Sequence, residues 1–478
     1  MQPFGGRGAQ MQSGGIAAMA FARGFLLTET RVPQPVAGWI ESRVGDLNLW
    51  RDPRTPLRMA QAGDRWVAIL GHFVDVRRPL DPEDDVLAAC AGYEPAALLA
   101  ETDHWSGRFV CLFGGPDGCA IAPDAIGSKP LYYSLDAPFV AGSHAALVAR
   151  IADAAPNPEI AARLSRRAMY GLPGDYTIWR RVHVLTPNQT LDPATRQPSR
   201  FWPRGDIAEM SVEEAAQRVA DIMTATMDGL TNRRRPVLFS LTAGLDSRLS
   251  LAASRRHVDS LECFTFSNGD HHRIDMEFAL SAAPLLGLSH RPLETGLRLP
   301  RETREEFEAV MTEISPRNHF RRGSYAYTLN YPQHALHVRS SAGEIGRSFF
   351  RDPAKCFVPK TTNSLVSAWG GDAADRKVDL AAFADWTERS RYWSVQQIDL
   401  LDLFHWEHRM GTWLSELCLE SDIAFDTHIM FSCRALLEAF VSAPLAERRV
   451  NKVFYASIHR MWPHLLALPI NGEKVAWP

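Results

Sequence analysis

Two textures divide the sequence and together predict an α/β protein: stacked antiparallel sheets in the first half, a parallel sheet with crossover helices in the second. The first half is rich in short apolar runs broken by Gly, Pro and Asp, with few long helical patterns between them. From about residue 211 strands and amphipathic helices alternate, the pattern of a parallel sheet. At one strand–helix junction, VLFSLTAGLDSR (237–248), a buried strand runs into a turn of Gly, Asp and hydroxyls, where backbone N–H groups and a helix N-terminus can hold an anion.

Taken in order, the N-terminal residues read as a leading tail, and GGIAAMAFARGFLL as the approach to a first buried strand. That run is interrupted by Arg23 and too short to span a bilayer. The runs RWVAILGHFVDV (65–76), GRFVCLFGGPDGCAIAPDAIG (107–127), PLYYS (130–134) and PFVAGS (138–143) read as strands, with GGPD (114–117) a hairpin turn. Pro and Gly cluster in QPSRFWPRGD, which predicts a linker near 195–210 between units spanning 1–200 and 205–478. SVEEAAQRVADIMTATMDGL then has a capping Ser211, acids behind it and apolar residues at helical spacing. Strand VLFSL, a helix over 247–257, strand LECFTFS (261–267) and a helix over 275–286 complete the alternation.

Composition narrows the class. The chain has 478 residues, 46% hydrophobic and 22% charged, as an ordinary soluble two-domain protein would. A net charge of -3 provides no basic face for nucleic acid, and runs such as RRR (233–235) read as solvated surface. Seven scattered cysteines without CxxC argue against a disulfide framework or a zinc site and fit a reducing cytoplasm. No other apolar run approaches membrane length, so no membrane partner is expected.

In the turn, Gly244 removes a side chain where phosphate would approach the backbone, and Thr242 and Ser247 offer hydroxyls to its oxygens. Asp246 is out of place beside an anion unless it holds a metal that bridges to it. The plainer reading is an N-capping Asp/Ser turn at an exposed junction.

TAGLDS resembles the SGGxDS pyrophosphate loop of the asparagine synthetase family, which includes β-lactam synthetases and lasso-peptide macrolactam cyclases. Thr242 and Ala243 depart from that pattern, and an Ala at a left-handed position would cost stability. FTFSNGDHHRID (264–275) is similar to the family's second strand, which implies Phe266 as a backbone contact to adenine and Asp275 as the acid that follows. The adjacent His271 and His272 read as a solvated loop. HVRSSAGEIGRSFFR (337–351) resembles the family's SGxGADExxxGY motif, which implies Glu344 as a magnesium-binding carboxylate, with Ser341 and Gly343 beside the nucleotide. Ala342 falls near a position where some relatives carry a working Glu. The closing pattern LPINGEK implies Lys474 as the cation that stabilises the reacting centre; the plain alternative is a frayed terminal lysine.

DAIGSKPLYYS (124–134) and WSGRFVCLF (105–113) resemble the family's glutaminase domain. The nucleophilic cysteine expected at the mature N-terminus is absent: residue 2 is Gln2 and the earliest cysteine is Cys90, so glutamine hydrolysis is not expected.

The resemblance therefore implies an N-terminal Ntn-type αββα sandwich, a degenerate glutaminase-like domain, and a C-terminal PP-loop synthetase domain. The implied function is adenylation of a substrate carboxylate by ATP with Mg²⁺, then amide formation with an amine from a source other than glutamine, intramolecular in a lactam or lasso-type macrolactam. The implied ATP contacts are Ser240, Thr242, Gly244, Leu245, Asp246, Ser247, Phe266, Ser341 and Gly343. Asp246 and Glu344 are the metal ligands, and Lys474 and Glu344 the catalytic pair. The expected partner is a small molecule or peptide carrying a carboxylate and an amine, with a homodimer left open. Arg317, His319 and Tyr325, in EISPRNHFRRGSYAYTLNY (313–331), are candidates to bind an acceptor carboxylate or deprotonate its amine; a wet helix face is the plainer reading of each. A non-catalytic or differently specialised relative, an ammonia-dependent asparagine synthetase-like enzyme and an RNA thiolase remain as alternatives.

Overall fold

The computed structural model describes residues 16, 19–164, 171–233, 235–267, 272–296, 300–316, 321–350, 360–370 and 373–474. Gln2, Arg234, His271, Arg317, His319 and Cys356 lie outside the described residues.

The first half forms two six-stranded antiparallel sheets. One runs β10 (Val182–Val184), β8 (Tyr132–Ser134), β9 (Val140–Gly142), β1 (Phe25–Thr28), β3 (Leu47–Arg51), β2 (Ile40–Val44). The other runs β12 (Gln197–Arg200), β11 (Gln189–Asp192), β7 (Gly118–Pro123), β6 (Trp105–Gly115), β5 (Arg65–Asp75), β4 (Leu57–Ala62). Their inner faces share one apolar core, with Phe25, Leu27 and Leu49 meeting Ala68, Leu70, Val110, Leu112 and Ile121. Helices Glu83–Cys90 and Pro95–Glu101 cover the second sheet through Val86, Leu87, Leu98 and Leu99. Helix Ala145–Ile151 covers the first through Leu147 and Val148. The layers are therefore αββα. The GGPD turn is as read: Gly115 pairs with Gly118, whose φ of +112° suits glycine, and Pro116–Asp117 close the hairpin.

QPSR of the expected connecting stretch is strand β12, paired with β11; the chain from Phe201 to Met210 has no regular structure. Ser211 then caps helix Val212–Thr231 with a full capping box to Glu214. The second half is built on a five-stranded parallel sheet, ordered β15 (Ser289–Leu293), β14 (Leu261–Phe266), β13 (Val237–Ser240), β16 (Leu336–Arg339), β17 (Asp426–Ile429). The chain leaves β13 toward β14 on one side and returns through β16 on the other. The carboxyl ends of β13 and β16 thus flank a topological switch point, where open α/β sheets bind ligands.

Two helix boundaries differ from the sequence reading. The helix placed at 247–257 spans Leu245–Ala253 and tightens into a 3₁₀ turn, Arg255–Ser260. Ser250 and Ser254 donate their hydroxyls back to the carbonyls of Asp246 and Ser250, a pairing that competes with the helix ladder near its end. The helix placed at 275–286 starts earlier, at Arg273, and stops at left-handed Gly287.

The sandwich and the parallel sheet meet through buried charges. Arg108 on β6 forms a two-pronged ion pair with Asp422, both side chains 1% exposed. Arg200 at the end of β12 grips Glu407 at 2.6 and 2.9 Å. No described helix is long and apolar enough to cross a membrane.

Candidate active site

The turn after β13 is held open by its own side chains. The Thr242 N–H donates to Ser247 Oγ at 3.1 Å, and Ser247 Oγ lies 3.4 Å from the Ser240 carbonyl. The Ala243 N–H donates to Asp275 Oδ1 at 2.8 Å, so the acid that follows the second strand braces the loop. Gly244 begins the next helix at φ −70°, ψ 159° and contributes no capping side chain. The first N–H groups of that helix have no capping side chain, and its dipole points out of the turn. Gly244 is not required by its backbone angles, nor by the protein around it. The nearest atoms to a Cβ built there are Thr242 Oγ1 at 3.6 Å and Asn471 Oδ1 at 3.7 Å, ordinary contacts. What the missing side chain leaves is open space over a helix N-terminus.

Asp246 is not at an exposed junction. It is 8% exposed and faces the 3₁₀ turn Gly343–Arg347 that follows β16. A Cβ on Gly343 would lie 2.5–2.6 Å from the Asp246 carboxylate, so glycine is what lets the two segments approach. Burial, then the charge of Glu344, pushes the Asp246 carboxyl up to about 7, against the opposing pull of Arg347. Arg347 Nη2 lies 2.8 Å from Asp246 Oδ1. Two carboxylates thus share one small space with a single guanidinium, which leaves negative charge uncompensated. Paired carboxylates are a donor set of the kind a divalent cation takes. Among the described residues no group of three or more His, Cys, Asp or Glu is placed to hold a metal ion.

The strained alanine is at a different place from the one expected. Ala243 is not among the residues with positive φ, whereas Ala342, entering the Glu344 turn, sits at φ 79°. Ser341, one residue earlier, accepts from Arg339 Nε at 3.2 Å. Phe266 ends β14 beside the loop, its ring 5.4 Å from His272 and 5.7 Å from Tyr327. The Leu245 side chain is buried in the core, so only its backbone faces the turn. Tyr325 is 8% exposed and packs edge-on against Phe307, so its side chain lies in the core rather than on a wet helix face.

The C-terminal segment is already docked on the loop. Arg248, 0% exposed, donates to the carbonyls of Leu465, Leu468 and Pro469 and lies over the Phe278 ring at 4.1 Å. Burial lowers its guanidinium to about 10, and carbonyl oxygens are its partners. Two residues beyond Pro469, the Asn471 N–H donates to the Ala243 carbonyl at 3.0 Å, and Ile470 bridges Glu473. Lys474 follows this turn and is exposed. Sequence reasoning missed Arg248, Arg347 and Asn471. All three stand in quoted motifs, but a polar residue in a turn or in the first turn of a helix reads as solvated until its distant partners are known.

No protein-family model matches the chain, and no characterised protein matches it by sequence. Among solved structures it is similar to a glutamine phosphoribosylpyrophosphate amidotransferase from B. subtilis complexed with ADP and GMP. That match has 9% identity and a TM-score of 0.25, over 70% of this chain and 72% of that one. It is also similar to a glutamine-dependent NAD⁺ synthetase from Acinetobacter baumannii in complex with ADP, at 12% identity and TM-score 0.22, over 45% of this chain and 51% of that one. An NMN synthetase from Francisella tularensis matches at 14% identity and TM-score 0.20, over 45% of this chain and 94% of that one.

Proposed function

We propose that the protein is an ATP-dependent synthetase that forms an amide or related C–N bond by way of an acyl-adenylate. The observation that carries this reading is the pairing, at the switch point of the parallel sheet, of an uncapped helix N-terminus with two facing carboxylates. The N–H groups from Gly244 onward and the Thr242 and Ser247 hydroxyls receive the pyrophosphate end of ATP. Asp246 and Glu344 would hold Mg²⁺, which would supply neutralisation of phosphate charge. Phe266 borders the adenine side. Arg347, paired with Asp246 at 2.8 Å, would share that carboxylate with a bound metal. A substrate carboxylate attacks the α-phosphorus, pyrophosphate leaves, and an amine then displaces AMP from the acyl carbon. Lys474, carried by the docked C-terminal turn, faces the charge that develops in those steps.

The amine comes from the substrate, a second substrate or free ammonia, as in a lactam- or macrolactam-forming enzyme. Among the described cysteines, burial pushes the thiols of Cys90, Cys119, Cys418 and Cys433 up to about 11 and that of Cys263 to about 12, and raises Cys111 as well. None of these described cysteines is poised as a thiolate nucleophile.

The test is binding of ATP with Mg²⁺ by calorimetry, then pyrophosphate release across a panel of amino-carboxylates and peptides. Binding with substrate-dependent release of pyrophosphate and AMP is expected; ADP and phosphate as products would refute the adenylate. A second reading, a non-catalytic relative, is favoured by one observation: Arg347 already places a cation on Asp246. Nucleotide binding without turnover on any carboxylate would select it.

A further inference from the structure

The proposed nucleotide site has a wall formed by a residue to which the closing pattern LPINGEK assigned no role. Outside the Gly244 helix and its chain neighbours, two described atoms lie within 4 Å of a Cβ built on Gly244. They are Thr242 Oγ1 at 3.6 Å and Asn471 Oδ1 at 3.7 Å. Two polar side chains from opposite ends of the second unit thus converge on the space over the uncapped helix. Neither side chain is hydrogen-bonded to another described residue, whereas the Asn471 backbone N–H is fixed to the Ala243 carbonyl at 3.0 Å.

The placement of Asn471 is over-determined. Arg248 holds the chain just upstream by three carbonyls, and the Ile470–Glu473 bridge closes the turn. Asn471 itself sits at φ 51° and Gly472 at φ 84°. The left-handed region favours Asn and Gly, and of the two only Asn carries a side chain that can reach the loop. Rotating its amide by 180° puts Nδ2, with its two donors, where Oδ1 now stands.

We propose that Asn471 is a phosphate-binding residue, its side-chain amide donating to the pyrophosphate oxygens opposite the Thr242 hydroxyl. The inference rests on the nucleotide reading of the loop and adds the residue that closes its open side. It also gives the C-terminal turn a task separate from that of Lys474: the turn completes the anion site before any chemistry begins.

The experiment measures binding of inorganic pyrophosphate with Mg²⁺, and separately of ATP with Mg²⁺, to the full chain by calorimetry. Asn471→Gly keeps the left-handed backbone and removes only the amide, so its melting temperature should match the wild type. Its affinity for both probes should fall about tenfold, the scale of one hydrogen bond to a charged group. Asn471→Asp places a carboxylate at the same point and should weaken binding further still. If Asn471→Gly binds both probes as tightly as the wild type, the side chain is not a ligand and the inference is overturned, with the loop reading intact. If the wild-type chain binds neither probe, the nucleotide reading fails and takes this inference with it.

Discussion

Replacing Asp246 with Asn should make the ligand-free protein more stable at pH 8 while removing its response to Mg²⁺. The carboxyl is held near 7 instead of its ordinary 3.8, chiefly by burial and secondarily by Glu344. A raised carboxyl binds its proton more tightly in the folded than in the unfolded chain. Its contribution is therefore full below about pH 4 and is lost as pH rises through 7. A shift of about three units at about 1.4 kcal/mol each puts the penalty of the charged form at about 4 kcal/mol above pH 7. Asn keeps the volume and removes the charge, and the shift already includes the opposing pull of Arg347 at 2.8 Å. A gain of up to about 4 kcal/mol is expected, read as a rise in melting temperature.

The assay is melting temperature against pH, from 4 to 8, for both proteins, with and without Mg²⁺ and ATP. Asp402, also buried and raised to about 6, titrates in the same window, so the difference between the two proteins is the quantity to read. The wild type should lose stability relative to Asp246→Asn as pH rises from 4 to 7. Mg²⁺ with ATP should restore it above pH 7 in the wild type alone. An Asn variant that melts lower than the wild type at pH 8, with an unchanged pH slope, would refute the account of Asp246 as an under-compensated metal carboxylate.

Lys474→Met should melt like the wild type, because the lysine is exposed, and should bind ATP normally. AMP formation should fall about a hundredfold, on the scale of about 3 kcal/mol for one well-placed partner of a developing charge; retained turnover would return Lys474 to the surface. Arg248→Met should cost about 3 kcal/mol by leaving carbonyls of Leu465, Leu468 and Pro469 without a donor. It should also open the C-terminal segment to limited proteolysis; a resistant segment would show that other contacts hold it. Asp422→Asn should destabilise the junction of sandwich and parallel sheet by about 3–5 kcal/mol in chemical denaturation, because Arg108 is left buried and charged. Glutamate should not accumulate from glutamine in an enzyme-coupled assay; production matching amide yield would require a nucleophile outside the described cysteines.

What was legible in the sequence was local. A four-residue run ending at Ser240, a Gly-Leu-Asp-Ser turn and the amphipathic run after it placed β13, the loop and the start of the helix to within two residues, while the end of the helix fell four residues earlier than read. Hairpin chemistry placed the Gly115–Gly118 turn, and Ser211 with Glu214 announced its helix, because each device is complete within a few residues. The burial of Asp246 was not legible. It depends on Gly343 coming close enough for a carboxylate to fill the space a Cβ would need. Nor was Arg248, whose first partner is 217 residues away. The misplaced alanine has the same origin: left-handed backbone at Ala342 and not Ala243 is set by how the chain leaves β16, and the loop motif carries no trace of that.

These distant contacts give the site its character. One helical turn carries Asp246 toward the segment after β16 and Arg248 toward the C-terminal segment, so three stretches far apart in sequence meet at the start of one helix. Each leaves something unbalanced there. Asp246 and Glu344 together carry more negative charge than Arg347 offsets, Gly244 leaves N–H groups without a side-chain cap, and Asn471 presents an amide with no described partner. A magnesium–polyphosphate ligand offsets all three at once: the cation meets the carboxylates, and the phosphate oxygens meet the N–H groups and the amide. A bare cation would relieve only the first, and a bare anion would meet the excess negative charge of the two carboxylates. The wild-type protein should accordingly be stabilised by Mg²⁺ and pyrophosphate together by more than the sum of the two added singly. Additive shifts in melting temperature would separate the carboxylates from the loop and leave no single ligand bridging them.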